Sequence, residues 1–98
     1  MSDADERFLA ALARELSPLL GPRIELLGLE LERPGDGRVR ITALLATSAG
    51  TERIVEDGDS LTSVAAALIE RAPIQRLAEG FRELVEPSTM RGMKATPR

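Results

Sequence analysis

The chain contains no cysteine and no histidine. Disulfides, thiolate nucleophiles, imidazole bases and zinc sites built on Cys or His are therefore excluded. Trp and Tyr are also absent, so Phe8 and Phe81 are the only aromatic residues. The core must be built from aliphatic side chains, and an interface cannot use the Trp or Tyr anchors that often dominate binding energy.

Neither a targeting segment nor a membrane-spanning segment is predicted from the sequence. Residues 1–6 are acidic where a signal peptide would be basic and then apolar, and no apolar run is long enough to span a membrane. A cytoplasmic protein is therefore expected. Lys94 is the only lysine among thirteen basic residues, and this Arg-, Ala- and Leu-rich usage is typical of GC-rich, bacterial-like coding.

The 98 residues, 43% of them hydrophobic, are enough for one domain with its own core. The net charge of −3 is unevenly distributed, because Arg91, Lys94 and Arg98 give residues 87–98 a charge of +3 and leave −6 on the other 86 residues. We expect a single domain over residues 1–86 and a flexible basic tail over 87–98. An acidic body argues against a broad nucleic-acid surface, since that affinity depends on Lys and Arg.

The first helix is the clearest element in the sequence. Asp3 and Glu6 have the spacing of a capping box, and Gly21-Pro22 is a typical helix end. Between these signals, apolar residues recur at helical spacing: Phe8, Leu9, Leu12, Leu16, Leu19 and Leu20.

A β-hairpin follows, because residues 23–32 and 38–47 alternate and the turn sequence 33–37 separates them. Centring the turn on Gly35 predicts one apolar face and one face of charge pairs. The predicted pairs are Leu31–Val39, Leu29–Ile41 and Leu27–Ala43 on the core face, and Glu32–Arg38 and Glu30–Arg40 on the other.

The start of the first strand is out of phase with the rest of it. Ile24 and Leu26 have even numbers, whereas the apolar residues from Leu27 onward have odd numbers. A one-residue change of phase in a strand is typical of a β-bulge. We therefore expect a bulge near Leu27-Gly28.

A shorter third strand is predicted over residues 51–56, and residues 57–60 end it and cap a helix. Behind this cap lie two apolar stripes that would point about 180° apart on one continuous helix. Pro73 separates them and favours two helices, about 60–71 and 73–86, or one sharply kinked helix ending at Pro87. The predicted fold is α+β, with a three-stranded antiparallel sheet, an N-terminal helix and two C-terminal helices (α-β-β-β-α-α).

No pattern of catalytic or cofactor-binding residues is found. Glu56, Asp57 and Asp59 form the densest carboxylate group, which could hold a divalent metal or act as an acid/base pair, but their position favours a turn and a helix cap. Ser and Thr residues have no histidine to activate them, and the glycines form no phosphate loop. We therefore expect no catalytic, metal or cofactor site, and no enzyme.

The α-β-β-β-α part of this order, about residues 3–71, resembles double-stranded-RNA-binding domains, and its opening α-β-β segment is similar to small KH-type ribosome-assembly factors. The resemblance is one of element order and implies an RNA-associated protein as an alternative function. The last helix of those domains opens with a lysine cluster, whereas the segment from Asp59 to Val64 has no basic residue. A GxxG loop is also absent, so no functional residue is carried over.

The second C-terminal stripe has no obvious core to face. It consists of Ile74, Leu77, Phe81, Leu84 and Val85. Two explanations remain open: the helix folds back over the first helix, or a partner covers the stripe. We expect a non-catalytic protein–protein interaction or assembly module, either a homo-oligomer such as a homodimer or a small subunit of a larger complex. Nucleic-acid binding is expected to be weak.

Overall fold

The computed structural model describes the backbone of residues 2–95, and the side chains of that range except residue 83 and residues 85–95. Its elements are α1 (Asp3–Leu20), β1 (Glu25–Gly35), β2 (Arg38–Thr47), β3 (Gly50–Gly58) and α2 (Leu61–Ala95). The three strands form one antiparallel sheet in the order β1-β2-β3. The predicted α+β class and the three-stranded sheet with an N-terminal helix are therefore confirmed.

Helix α1 begins one residue earlier than the capping box predicted. Ser2 is the N-cap, and its Oγ accepts a hydrogen bond from the Asp5 N–H at 3.1 Å. Asp3 therefore lies in the first turn together with Asp5 and Glu6, where the helix dipole favours negative charge. The helix ends at Gly21 as predicted, and the φ of 84° there suits glycine.

The core lies where α1 and α2 pack against the sheet. Alternate residues of the central strand β2 are buried, which confirms the predicted face. Every fourth or third residue of α1 supplies the opposite wall. The buried core residues are Leu9, Leu12, Leu16, Leu20, Ile24, Val39, Ile41, Ala43, Leu45, Ile54, Val64, Ala65, Leu68 and Ala72.

The hairpin turn is centred on Asp36-Gly37, and the predicted centre at Gly35 is wrong. Gly35 pairs with Arg38, and the two residues between them have φ values of 56° and 71°. A type I′ hairpin turn requires two such positive φ values, and Asp-Gly is one of its preferred sequences. Pro34, which cannot donate to the ladder, lies in an irregular step of β1 just before the turn.

This turn shifts the strand register by two residues, which keeps the side chains from Leu29 to Glu32 on their predicted faces but changes their partners. The observed pairs are Leu31–Ile41, Leu29–Ala43, Glu32–Arg40 and Glu30–Thr42, in place of the predicted Leu31–Val39, Leu29–Ile41, Glu32–Arg38 and Glu30–Arg40. The charge pairing therefore differs as well: Arg40 lies 3.5 Å from Glu32, and Arg38 instead bonds Asp59 at 2.9 Å.

The predicted bulge near Leu27-Gly28 is confirmed by a register shift between Leu26 and Gly28. Leu27 is half exposed at the bulge and Ala43 pairs with Leu29, so the predicted pairing of Leu27 with Ala43 is wrong. Strand β3 is longer at both ends than the predicted range 51–56. Ser60 caps the helix that follows, since its Oγ accepts the Ser63 N–H at 3.1 Å.

One helix, α2, replaces the two predicted C-terminal helices, and it continues past Pro87 to Ala95. The prediction assumed that one core must bury both apolar stripes. Because the second stripe stays exposed, a single helix can carry both. Pro73 is accommodated inside the helix at the cost of one hydrogen bond, to the carbonyl of Ile69. The division into a domain of residues 1–86 and a tail of 87–98 stays a prediction.

A bidentate ion pair ties the far end of β1 to the beginning of α1. Arg33 Nη1 and Nη2 donate to the two carboxylate oxygens of Asp5 at 2.8 and 3.1 Å. These hydrogen bonds, together with the positive charge of Arg33, hold the pKa of Asp5 below its usual value.

Within residues 2–95, neither helix is both long and apolar enough to cross a membrane.

Candidate functional site

We divide residues 61–84 of α2 into an N-terminal half, 61–72, and a C-terminal half, 73–84. The N-terminal half is part of the core. Val64, Leu68 and Ala72 are each at most 2% exposed, and Ala65 is buried beside them. These residues recur at the three- and four-residue spacing of one helix face, so they hold the first three turns against α1 and the sheet. Their burial confirms the predicted direction of the first stripe.

The C-terminal half of α2 carries four large apolar side chains that nothing in the described chain covers. Ile74, Leu77, Phe81 and Leu84, which we name the apolar stripe, are 63, 74, 68 and 73% exposed. The side chain of Val85, the fifth residue of the predicted stripe, lies outside the described residues. The alternative in which the helix folds back over α1 is therefore wrong.

The opposite side of this half is fixed to the sheet by a polar cluster, which we name the clamp. Glu79 is only 3% exposed, and its carboxylate accepts the Ser48 N–H at 2.9 Å and Arg82 Nη1 at 3.0 Å. Arg82 also reaches Glu52 on β3 at 3.4 Å, and Gln75 lies 3.5 Å from the same carboxylate. The clamp therefore holds α2 against the β2–β3 turn.

The electrostatics of the clamp favour an ionised Glu79. The hydrogen bond from Ser48 is the largest cause, and with the positive charges of Arg82 and Arg23 it lowers the pKa of Glu79 below its usual value, although burial acts in the opposite direction. A buried carboxylate with these partners stabilises the packing of α2 on the sheet. Its position explains why the helix stays on the sheet after the aliphatic contacts end at Ala72.

Helical geometry separates the clamp from the apolar stripe. At 100° per residue, the row containing Ala72, Gln75, Glu79 and Arg82 is centred about 160° away from the stripe. Helix α1 does not reach the stripe: its C-cap Gly21 meets α2 at Arg76, whose Nε would lie 3.0 Å from an added Cβ. The stripe therefore faces away from both the sheet and α1.

An open pocket lies along the edge of the stripe nearest the end of α1. Leu77, Gly80, Phe81 and Leu84 form a diamond with the spacing i, i+3, i+4, i+7, and they line this pocket together with Pro73, Arg76 and Arg23. Gly80 leaves one corner of the diamond empty, since a Cβ added there would meet nothing within 4 Å. A side chain from another helix could enter such a diamond.

The three carboxylates considered as a metal site are each paired with a different arginine. Glu56 bonds Arg71 at 2.6 Å, Asp57 bonds Arg40 at 3.4 Å, and Asp59 bonds Arg38 at 2.9 Å. In the part of the chain that is described, no group of three or more Asp and Glu residues could hold a metal ion. The expectations of no cofactor and no enzymatic activity stay predictions.

The clamp is the part of the site that sequence reasoning missed. Glu79 lies seven residues after Ala72, on a helical row that is aliphatic at Leu68 and Ala72 and then becomes polar. This change of character within one row was the available signal, but the partners Ser48 and Glu52 come from a distant turn and strand.

No protein-family model, curated protein or solved structure matches this chain.

Proposed function

We propose that this protein is a non-catalytic assembly module that binds a protein partner through the apolar stripe of α2. The observation that carries the proposal is the exposure of Ile74, Leu77, Phe81 and Leu84, between 63 and 74%, on one face of one helix. An apolar helix face of this kind is the usual element of helix-in-groove and helix–helix recognition.

The size of the stripe supports an interaction surface. Four large side chains at these exposures present roughly 500 Å² of contiguous apolar area, which is near the upper end for a soluble monomer. Single exposed apolar residues such as Leu27 and Val55 need no such explanation. The stripe is also held in place, because the clamp fixes the opposite side of the same turns, and a preorganised surface loses less entropy on binding.

The composition supports assembly over catalysis. The chain has no histidine or cysteine, and its carboxylates at residues 56, 57 and 59 are engaged in separate ion pairs. The apolar stripe has no titratable group among its four members. Its chemistry therefore suits burial of apolar surface against another protein.

The native mass of the protein tests this proposal. We expect the wild type to migrate above its monomer mass in an extract of its source cells, and Leu77→Asp to migrate as a folded monomer. Ala10→Asp is the matched control, because it adds the same charge to an exposed helical position on α1, away from the stripe. A wild type that is monomeric both in the extract and when purified would contradict the assembly function.

RNA association is the second candidate, and the observed α-β-β-β-α order supports it, since that order resembles double-stranded-RNA-binding domains. The charge distribution speaks against it. Five arginines are engaged with carboxylates: Arg33, Arg38, Arg40, Arg71 and Arg82. These acids cancel much of the positive potential that phosphate binding needs.

A polarisation assay with duplex RNA, single-stranded RNA and DNA separates the two candidates. We expect no nucleic-acid binding tighter than micromolar at physiological salt. Deletion of residues 87–98 should remove any weak binding that remains. Micromolar or tighter affinity, with a salt dependence equivalent to more than about three phosphate contacts, would favour RNA association over assembly.

A further inference from the structure

We infer that the partner of the apolar stripe is a second copy of this chain, whose helix α2 packs antiparallel against the first with a two-fold axis near residue 79. This inference rests on the proposed function and adds the identity and register of the partner. Its basis is that the stripe is complementary to itself.

The first step is the spacing of the stripe. Ile74, Leu77, Phe81 and Leu84 follow one another at intervals of three, four and three residues, which is the a/d pattern of helix–helix packing. In such packing each apolar knob enters a hole formed by four residues of the facing helix at i, i+3, i+4 and i+7. The stripe therefore contains both knobs and the corners of holes.

Two such holes lie side by side on α2. The first is the diamond that lines the open pocket, with Gly80 as its small corner. The second has Ile74, Leu77 and Phe81 at three corners, and its small corner is Ala78, which is exposed. Each hole thus has three large apolar corners and one small corner, and the two small corners lie on opposite sides of the stripe.

The knobs of an antiparallel copy fall at the levels of these holes. A two-fold axis near residue 79 places Leu77 of one chain beside Phe81 of the other, and Ile74 beside Leu84, because each pair is symmetric about 79. Leu77 then enters the hole with the Gly80 corner, and Phe81 enters the hole with the Ala78 corner. The same two contacts occur twice, as an isologous interface requires.

The positions beside the seam permit this approach. Pro73, Ala78 and Gly80 flank the described part of the stripe, and none of them is charged. The positions directly beside the seam therefore bring no like charges together, and their small side chains allow close contact between the helices. Arg76 and Arg23, which also line the pocket, are the charged residues nearest to it. Glu79 and Arg82 stay in the clamp on the far side of each helix.

The apolar area of the stripe sets the affinity that we expect for the dimer. A standard interface buries about 800 Å² on each partner, whereas the stripe alone supplies roughly 500 Å² and its flanking residues add to it. The dimer should therefore lie at the small end of specific interfaces, with a dissociation constant on the order of micromolar. Its formation should be reversible and dependent on concentration.

Sedimentation of the purified chain from about 1 to about 300 μM tests the pairing. We expect a reversible monomer–dimer equilibrium in the wild type. Leu77→Asp and Phe81→Asp should weaken it by at least about a hundredfold with unchanged circular dichroism, because each buries an unpaired charge at the seam. Ala10→Asp should dimerise as the wild type does. A wild type that remains monomeric over this whole range overturns the inference.

Disulfide trapping tests the register, and the native chain contributes no background because it has no cysteine. A mixture of Ile74→Cys and Leu84→Cys chains should form mixed disulfides on mild oxidation. Either variant alone should not cross-link, since two copies of residue 74 would lie about 15 Å apart along the helices, beyond disulfide reach. Cross-linking of each variant with itself would indicate a parallel pair and overturn the antiparallel arrangement.

The outcomes separate this inference from the proposed function. A purified chain that stays monomeric, with a larger native mass in the extract that Leu77→Asp abolishes, would overturn self-pairing and leave an assembly function with a different partner. A wild type that is monomeric in both settings would overturn both. Unfolding of Leu77→Asp, seen by circular dichroism, would also overturn both, because the stripe would then be part of the core.

Discussion

The two halves of helix α2 are held against the rest of the fold by different kinds of contact. From Leu61 to Ala72 the helix is held by aliphatic contacts, with Val64, Leu68 and Ala72 almost fully buried. From Pro73 to Leu84 it is held by the clamp around Glu79, and its large apolar side chains point outward. Apolar content alone therefore does not say which face of a helix a protein buries.

The difference has a physical consequence for function. Where aliphatic side chains hold the helix, its apolar surface is buried in the core. Where a carboxylate and a guanidinium hold it, the apolar side chains on the other face remain available for an intermolecular contact. The change from one mode to the other occurs at Pro73, where the first stripe ends and the second begins.

The largest expected effect contrasts one leucine from each half. Leu68→Asp should unfold the protein at room temperature, because it places an unpaired charge in a site that is 2% exposed. Leu77→Asp should leave the free energy of unfolding of the monomer within about 0.5 kcal/mol, because that side chain is 74% exposed. Circular dichroism and urea unfolding measure both.

Alanine substitutions give a milder form of the same contrast. Leu68→Ala should cost about 2–5 kcal/mol through lost contacts and a cavity, whereas Leu77→Ala should cost almost nothing in the monomer. Equal costs for the two leucines would show that the halves are packed alike, and the comparison would fail.

A smaller effect is expected from pH, and it should act on the clamp rather than on the aliphatic half. The pKa of Glu79 is lowered in the folded chain, so its contribution is complete above the usual glutamate pKa and is lost as the pH falls through the folded value. Glu79→Gln should cost about 1 kcal/mol at pH 7 and progressively less below about pH 4. Urea unfolding at several pH values measures this difference.

Glu70→Gln is the matched control for this experiment, because Glu70 is exposed on the same helix. It removes the same charge from α2 without touching the clamp, so the free energies of unfolding of the two variants are compared at each pH. Asp5, whose pKa is lowered by Arg33, should keep the Glu79→Gln variant sensitive to acid. A cost of Glu79→Gln that does not change with pH would show that the charge of Glu79 contributes nothing to the clamp.

Much of the fold followed from local patterns in the sequence. The period of α1, the alternation of β2 and the bulge near Leu27 were readable because each depends on residues close together in the chain. The hairpin register was missed by two residues because both turn centres keep the same apolar face. Only the φ preference of Asp36-Gly37 distinguishes them, and that signal was available in the sequence.

Whether the apolar stripe covers α1 or faces a partner was left open, but its direction away from the sheet was also predicted, since the phase difference across Pro73 excluded a common core for both stripes. The continuity of α2 was not predicted, because Pro73 and the phase change both favour a break in the helix at that point. What keeps the helix in place is the contact of Glu79 with Ser48 and of Arg82 with Glu52, from residues about thirty positions away. Single-sequence patterns carry no information on such pairs.

The smallest expected effect concerns Gly80, where stability and association should change in opposite directions. Gly80→Ala should stabilise the monomer by up to about 1 kcal/mol, because alanine favours the helix and an added Cβ meets nothing within 4 Å. The same methyl group would partly fill the hole that receives Leu77 of the second copy. Self-association should therefore weaken by several-fold, as measured by sedimentation.

The Leu77→Asp background separates these two consequences of Gly80→Ala. In that monomeric chain only the gain in helix stability should remain, so urea unfolding there measures propensity without the interface. In the otherwise wild-type chain, the small corner of the hole is lost as well, and the dissociation constant should rise. Gly80→Ala that stabilises both chains and leaves dimerisation unchanged would show that Gly80 is not at the point of closest approach, and the two-fold axis near residue 79 would have to be abandoned.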